Sequence, residues 1–120
     1  LTKGVETLFL IDTGAVVSII NYETFKVIER IQKVKLIEPD MKIWAANDKS
    51  IEMAGKADIT GSYESNNEHT LVHRFWIYAP GAGKTNLFGM DFLYKECSSV
   101  DFENSQMHNA RFPGKTTVLS

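Results

Sequence analysis

Asp12 is the residue whose surroundings ask for chemistry. It sits in Leu8-Phe9-Leu10-Ile11-Asp12-Thr13-Gly14-Ala15-Val16-Val17-Ser18-Ile19-Ile20, a carboxylate between two apolar runs. A short apolar run closed by a turn signal reads as a buried strand. That strand delivers Asp12 into a Thr-Gly turn, and a second apolar run follows at once. An unpaired buried charge is costly, so Asp12 is either tied into structural hydrogen bonds or held there for its reactivity. Its neighbours favour reactivity. Gly14 lets the backbone turn sharply and approach a neighbour closely, and the Thr13 hydroxyl is placed to fix the turn.

The apolar run, Asp12-Thr13-Gly14-Ala15 and the apolar continuation resemble the active-site signature of the retroviral-type aspartic proteases, the retropepsins. A second stretch, Asn86-Leu87-Phe88-Gly89-Met90-Asp91-Phe92-Leu93, is similar to the apolar-apolar-Gly-x-Asp-apolar-Leu element near their C-terminus, above all in the long-terminal-repeat retrotransposon branch. Together the two matches stand in family order, and the resemblance covers roughly residues 2–102.

The resemblance implies an all-β fold: a retropepsin-like closed β-barrel with a flap hairpin and one short C-terminal helix, active as a homodimer. Asp12 is then the catalytic residue, and Thr13 and Gly14 form the active-site turn. Thr13 hydroxyls would lock the two turns together, and the Gly14 carbonyl would accept a hydrogen bond from the substrate backbone. Leu87 and Phe88 become a buried strand passing behind that turn, Gly89 permits the close crossing, and Asp91 bonds near the start of a helix over Met90–Glu96. The flap tip falls on residues 46–50, including Ala46, Asn47 and Asp48. Ala15, Ile43, Trp44 and residues near Pro80 are expected to line apolar substrate pockets. Two departures stand out. Val16 occupies the place of an Asp that grips the substrate backbone in well-known retroviral enzymes, and Met90 that of an Arg that braces their dimer.

Aspartic peptidase chemistry needs two carboxyls about one water. Like charges in contact cannot both ionise, so the pair shares a proton, one member acting as base and the other as acid. This chain has one Asp-Thr-Gly and no visible internal repeat. A twofold homodimer, the commonest oligomer, supplies the second carboxyl. The expected partners are therefore a second copy and a peptide or polyprotein substrate, with no cofactor and no metal.

Composition sets the outer bounds. At 120 residues the chain suits one domain with a modest core. Residues 1–103 are assigned to the protease domain and 104–120 to a C-terminal tail or linker, or to a strand that Phe112 and Val118 help dock. Apolar residues make up 43% and charged residues 23%, as in ordinary globular chains. Thirteen Lys+Arg against fifteen Asp+Glu give a net charge of −2, so no basic face points to nucleic acid. One cysteine, Cys97, cannot build a disulfide framework and fits a reducing compartment. No signal-like or membrane-spanning apolar run is present. The expected location is the cytoplasm or an assembling virus-like particle. The chain begins without Met inside an extended segment, as expected of a piece cut from a longer polypeptide.

The supporting elements follow from periodicity. Gly4 marks a turn between two extended runs, a hairpin signal. Asn21 suits a helix N-cap, and Phe25, Ile28 and Ile31 recur at helical spacing, with Glu23, Lys26, Glu29 and Lys33 facing outward. Residues 41–46 and 51–59 read as strands around the polar tip Asn47-Asp48-Lys49-Ser50. The polar stretch 61–69 reads as a loop, 70–78 as a strand, and 98–102 as an edge or interface strand. His69, His73 and His108 share no metal-ligand spacing with Cys97 or with one another.

One further motif competes. Gly83-Lys84-Thr85 matches the end of a phosphate-binding loop, but the Gly required five residues earlier is Tyr78, and a short apolar run follows where a helix should open. The leading reading is thus an aspartic endopeptidase that matures the retroviral or retrotransposon polyprotein from which it is cut. A retropepsin-like dimerisation or peptide-binding module without significant proteolysis is the alternative, and nucleotide binding the third.

Overall fold

Short strands carry the Asp12 turn, and a long hairpin supports them. The computed structural model describes residues 6–40, 42–44, 49–63, 66–101, 106–109 and 116–118. In chain order these give β1 (Leu10–Ile11), β2 (Ile19–Ile20), α1 (Tyr22–Gln32), β3 (Ile43–Trp44), β4 (Ser50–Ile51), β5 (Met53–Tyr63), β6 (Asn66–Tyr78), β7 (Leu87–Phe88), α2 (Met90–Glu96), β8 (Cys97–Asp101), β9 (Gln106–Asn109) and β10 (Thr116–Val118). The protein is mainly β-sheet with two short helices. None of its described helices is long and apolar enough to cross a membrane.

The main sheet has five strands in the order β1-β7-β2-β6-β5. β7 runs parallel to β1, with Leu10 opposite Leu87, and antiparallel to β2, with Ile19 opposite the same Leu87. The strand from residue 87 is therefore inserted between the two arms of the Asp12 loop. β2 in turn runs parallel to β6, which forms a long antiparallel hairpin with β5. Among the described residues this sheet is open, with β1 and β5 at its edges, and they do not close it into the barrel that the resemblance implies.

Asn21 caps α1 as its position predicts, its side chain accepting from the Thr24 N–H at 2.8 Å. Phe25 and Ile28 are buried, whereas Ile31, expected on the same face, is half exposed. Helix α1 is moored at its far end by Gln32, whose amide donates to the Thr60 carbonyl and accepts from the Thr60 N–H. The first core cluster joins α1, β5, β6 and α2. Within it Phe88 stacks between Phe9 and Phe92 at 4.1 and 3.8 Å, with rings nearly parallel.

One expectation changes. The polar stretch 61–69 belongs largely to the β5–β6 hairpin, whose paired register runs from Met53↔Tyr78 to Tyr63↔Asn66. Its polar composition does not prevent pairing, because a neighbouring strand supplies the ladder bonds whatever the side chains. The segment 104–120 also contributes strands: β9 pairs with β8 and with β10 in a separate three-stranded sheet. The Gly4 turn and the flap-tip residues Ala46, Asn47 and Asp48 lie outside the described residues, although β3 and β4 pair antiparallel on either side of that tip.

Phe92 is fully buried at the end of the ring stack. Phe92→Ala is expected to destabilise the fold by about 3–5 kcal/mol, measured as a lowered urea midpoint with an unchanged slope. An unchanged midpoint would contradict this packing.

Candidate active site

The Asp12 turn is built from its backbone outward. β1 ends at Ile11, and the Asp12 N–H donates to the Phe88 carbonyl at 3.0 Å, so the inserted strand fixes where the turn begins. The chain then folds back tightly, with the Ala15 N–H donating to the Asp12 carbonyl at 3.1 Å. The Gly14 N–H donates to Asp12 Oδ1 at 2.9 Å. The carboxylate is oriented by its own loop. Asp12 is half-buried, not enclosed, so the apolar runs flank it without stripping it of water.

Beyond the turn the chain crosses over β7. The Met90 N–H donates to the Ala15 carbonyl at 2.8 Å, and the Asp91 N–H to the Val16 carbonyl at 3.2 Å. Gly89 lies directly beneath: a Cβ there would stand 2.4 Å from the Val17 carbonyl oxygen and 2.9 Å from that of Ala15. Both obstacles are backbone, so no side chain can yield to relieve them. Gly89 fits its expected role through this contact.

Behind the crossing lies a polar network that composition did not reveal. Ser18, fully buried, accepts from the Gly89 N–H at 3.0 Å and donates to Asp91 Oδ1 at 2.7 Å. Oδ2 of Asp91 meets Nε2 of buried His73 at 3.1 Å, and Oδ1 also accepts from the Phe92 N–H. Burial by itself would raise the Asp91 carboxyl, but hydrogen bonds from His73 and Ser18 outweigh it and hold the group below the ordinary carboxylate range. Asp91 therefore bonds at the start of α2 as expected, and in addition ties that helix to β6 and to the Asp12 loop. Ser18 is the one polar residue in the run from Ala15 to Ile20, which was its only signal. Its partners are over 70 residues away in sequence.

In front of the turn is a cavity of about 590 Å³ lined by Asp12, Gly14, Ala15, Val17, Ile43, Trp44, Ile51, Tyr78 and Leu87 among others. It brings together five of the residues singled out beforehand: Asp12, Gly14, Ala15, Ile43 and Trp44. Leu87, expected only behind the turn, also reaches its wall. Val16 reaches the wall too and is 75% exposed. Thr13 is exposed and does not line the cavity. Pro80 belongs instead to a neighbouring depression with Ile51, Gly81 and Ala82. Sequence reasoning missed Val17, Ile19, Ile51 and Tyr78, because their arrival at one place depends on pairing between distant strands. Burial and the charge of Asp12 push the Tyr78 phenol up, so it stays neutral beside the carboxylate.

The Gly83-Lys84-Thr85 stretch is no phosphate cradle. It leads into β7 and not a helix, and the Lys84 carbonyl accepts from the Asn21 side chain. Among the described residues no group of three or more His, Cys, Asp or Glu side chains is arranged to hold a metal ion.

Gly89→Ala is expected to cost about 3 kcal/mol, since backbone must move to admit the methyl group; a urea midpoint equal to wild type would contradict the crossing. Because the folded Asp91 carboxyl titrates below its unfolded value of about 3.9, its contribution is complete above that value and is lost as pH falls through the folded one. Thermal melts from pH 7 to 2 should show Asp91→Asn less stable near neutrality, with a flatter decline in acid, whereas parallel curves would overturn this role. No protein-family model matches the chain, and no curated protein is significantly similar to it.

Proposed function

We propose that the protein is an aspartic endopeptidase of the retropepsin type, in which Asp12 from each of two identical subunits activates one water against a peptide bond. The observation that carries the reading is the Asp12 carboxylate, held by the Gly14 N–H at 2.9 Å at the edge of a cavity of about 590 Å³. A reactive carboxylate needs a fixed orientation and access to substrate, and this arrangement supplies both.

One subunit offers one such carboxylate. Leu8, Leu10 and Val16 on the segment that carries Asp12 are each more than half exposed, an unusual density of apolar surface beside a turn. A second copy covering this surface about a twofold axis would bring the two Asp12 groups together. One carboxylate then takes a proton from the water as it attacks the carbonyl carbon. The other, protonated, hydrogen-bonds the carbonyl oxygen as it gains negative charge. The proton passes to the amide nitrogen as the carbon–nitrogen bond breaks, giving a free amine and a carboxylic acid. An extended peptide would lie between the Asp12 turns and the β3–β4 hairpin, its backbone paired as an added strand and its apolar side chains in the cavities. The flap, the closed barrel and maturation of a parent polyprotein belong to the same proposal.

The test is hydrolysis of a peptide library at mildly acid pH by wild type and Asp12→Asn. The proposal expects cleavage by wild type, a loss of roughly 10⁴-fold or more in the variant, and specific activity that falls on dilution as subunits separate. Equal cleavage by both proteins would overturn it. Peptide binding without cleavage by either would leave the peptide-binding module as the better reading.

A further inference from the structure

The loop that resembles the end of a phosphate site has another use. Residues 79–85 turn back on themselves: the Ala79 N–H donates to the Glu52 carbonyl, the Ala82 N–H to the Ala79 carbonyl, and Gly81 adopts φ +78°. This brings Gly83 flat against the Tyr78 ring. A Cβ on Gly83 would stand 2.6–2.7 Å from three of its ring atoms. At that distance a Cβ and the ring cannot both keep their places, so a residue larger than glycine here displaces the ring.

Tyr78 also lines the cavity at Asp12. It packs with Ile19, Trp76 and Leu87 in a second apolar cluster, to which Ala15, Val17, Ile43, Ile51 and Met53 add. Apart from Trp76 and Met53, all of these line the cavity. The cluster that steadies this end of the sheet is also the wall that a bound side chain would touch. Tyr78 is the bulkiest residue of the cavity lining after Trp44, and Trp44 is 61% exposed whereas Tyr78 is buried. The ring is clamped between the Gly83 backbone and the cavity.

We propose that Tyr78 is the specificity-determining residue of this cavity, its ring setting the size of the side chain admitted beside the scissile bond, and that Gly83 is the positioning residue that holds the ring at that depth. The inference rests on the reading that a peptide occupies this cavity. It predicts opposite effects from two substitutions. Tyr78→Leu removes ring volume and deepens the pocket. Gly83→Ala drives the ring toward the cavity and makes it shallower. A change that merely loosened the fold would move both variants the same way.

The probe is a pair of non-hydrolysable reduced-amide peptides that differ in one residue at the cleavage position, Val or Trp, with affinities measured for wild type and both variants. Relative to wild type, the preference for Trp over Val should rise about tenfold in Tyr78→Leu and fall by a similar factor in Gly83→Ala, the discrimination that small changes in apolar pocket volume give. Ratios within twofold of wild type in both variants, or shifts of the same sign, would overturn the inference. Should one variant fail to fold, the sign of the shift in the other decides. Hydrolysis is assayed in parallel on the corresponding amide peptides. Cleavage with unmoved ratios defeats this inference alone, oppositely shifted ratios without cleavage defeat the protease reading alone, and binding of neither peptide to any form defeats both.

Discussion

A single close passage holds this structure to its shape: the backbone at Gly89 running beneath the carbonyls of Ala15 and Val17. The parts that matter for the site are fixed relative to that passage. It lets β7 lie between β1 and β2, so that Leu87 pairs with both Leu10 and Ile19. Phe88 in the same strand accepts from the Asp12 N–H and fills the middle of the ring stack with Phe9 and Phe92. The position of the carboxylate is thus coupled directly to the packing of the core. A shift in β7 cannot occur without moving Asp12.

Two aspartates flank the passage and meet different surroundings. Asp91, behind it, is saturated with donors from Ser18, Phe92 and His73, so its charge is used up in joining three elements. Asp12, in front, takes the Gly14 N–H and otherwise borders a cavity with largely apolar walls. The division follows from physical need. A charge that fixes structure should have every oxygen engaged, while one proposed to act on water should be oriented yet reachable. The buried Ser18 hydroxyl ties Asp91 to the passage, since it accepts from the Gly89 N–H and donates to Asp91.

What was legible in the sequence is what depends on near neighbours. The Asp12 turn, the Asn21 cap, the body of α1, the helix at Met90–Glu96 and the need for glycine at residue 89 are all written in short stretches. The β5–β6 hairpin was legible in its apolar half and hidden in residues 61–69, where polar composition conceals strands that pair with each other. His73 looked unremarkable for the same reason, since its partner Asp91 belongs to a helix whose position is set by the passage at Gly89. The cavity was half legible. Ala15, Ile43 and Trp44 lie near recognisable signals, whereas Tyr78 and Ile51 join them only through strand pairing. Gly83-Lys84-Thr85 shows the reverse case, a local pattern that suggested one chemistry and serves another, with its glycine spent on contact with an aromatic ring.

The central claim is that two copies of this chain set their Asp12 side chains about one shared water. A crystal structure of the protein bound to a statine-containing peptide tests it most directly. The account predicts a twofold dimer with the statine hydroxyl within hydrogen-bond distance of both Asp12 carboxyls and the peptide's apolar side chains in the cavities beside them. An assembly in which the two carboxyls lie far apart, with the peptide bound elsewhere or not at all, would contradict it.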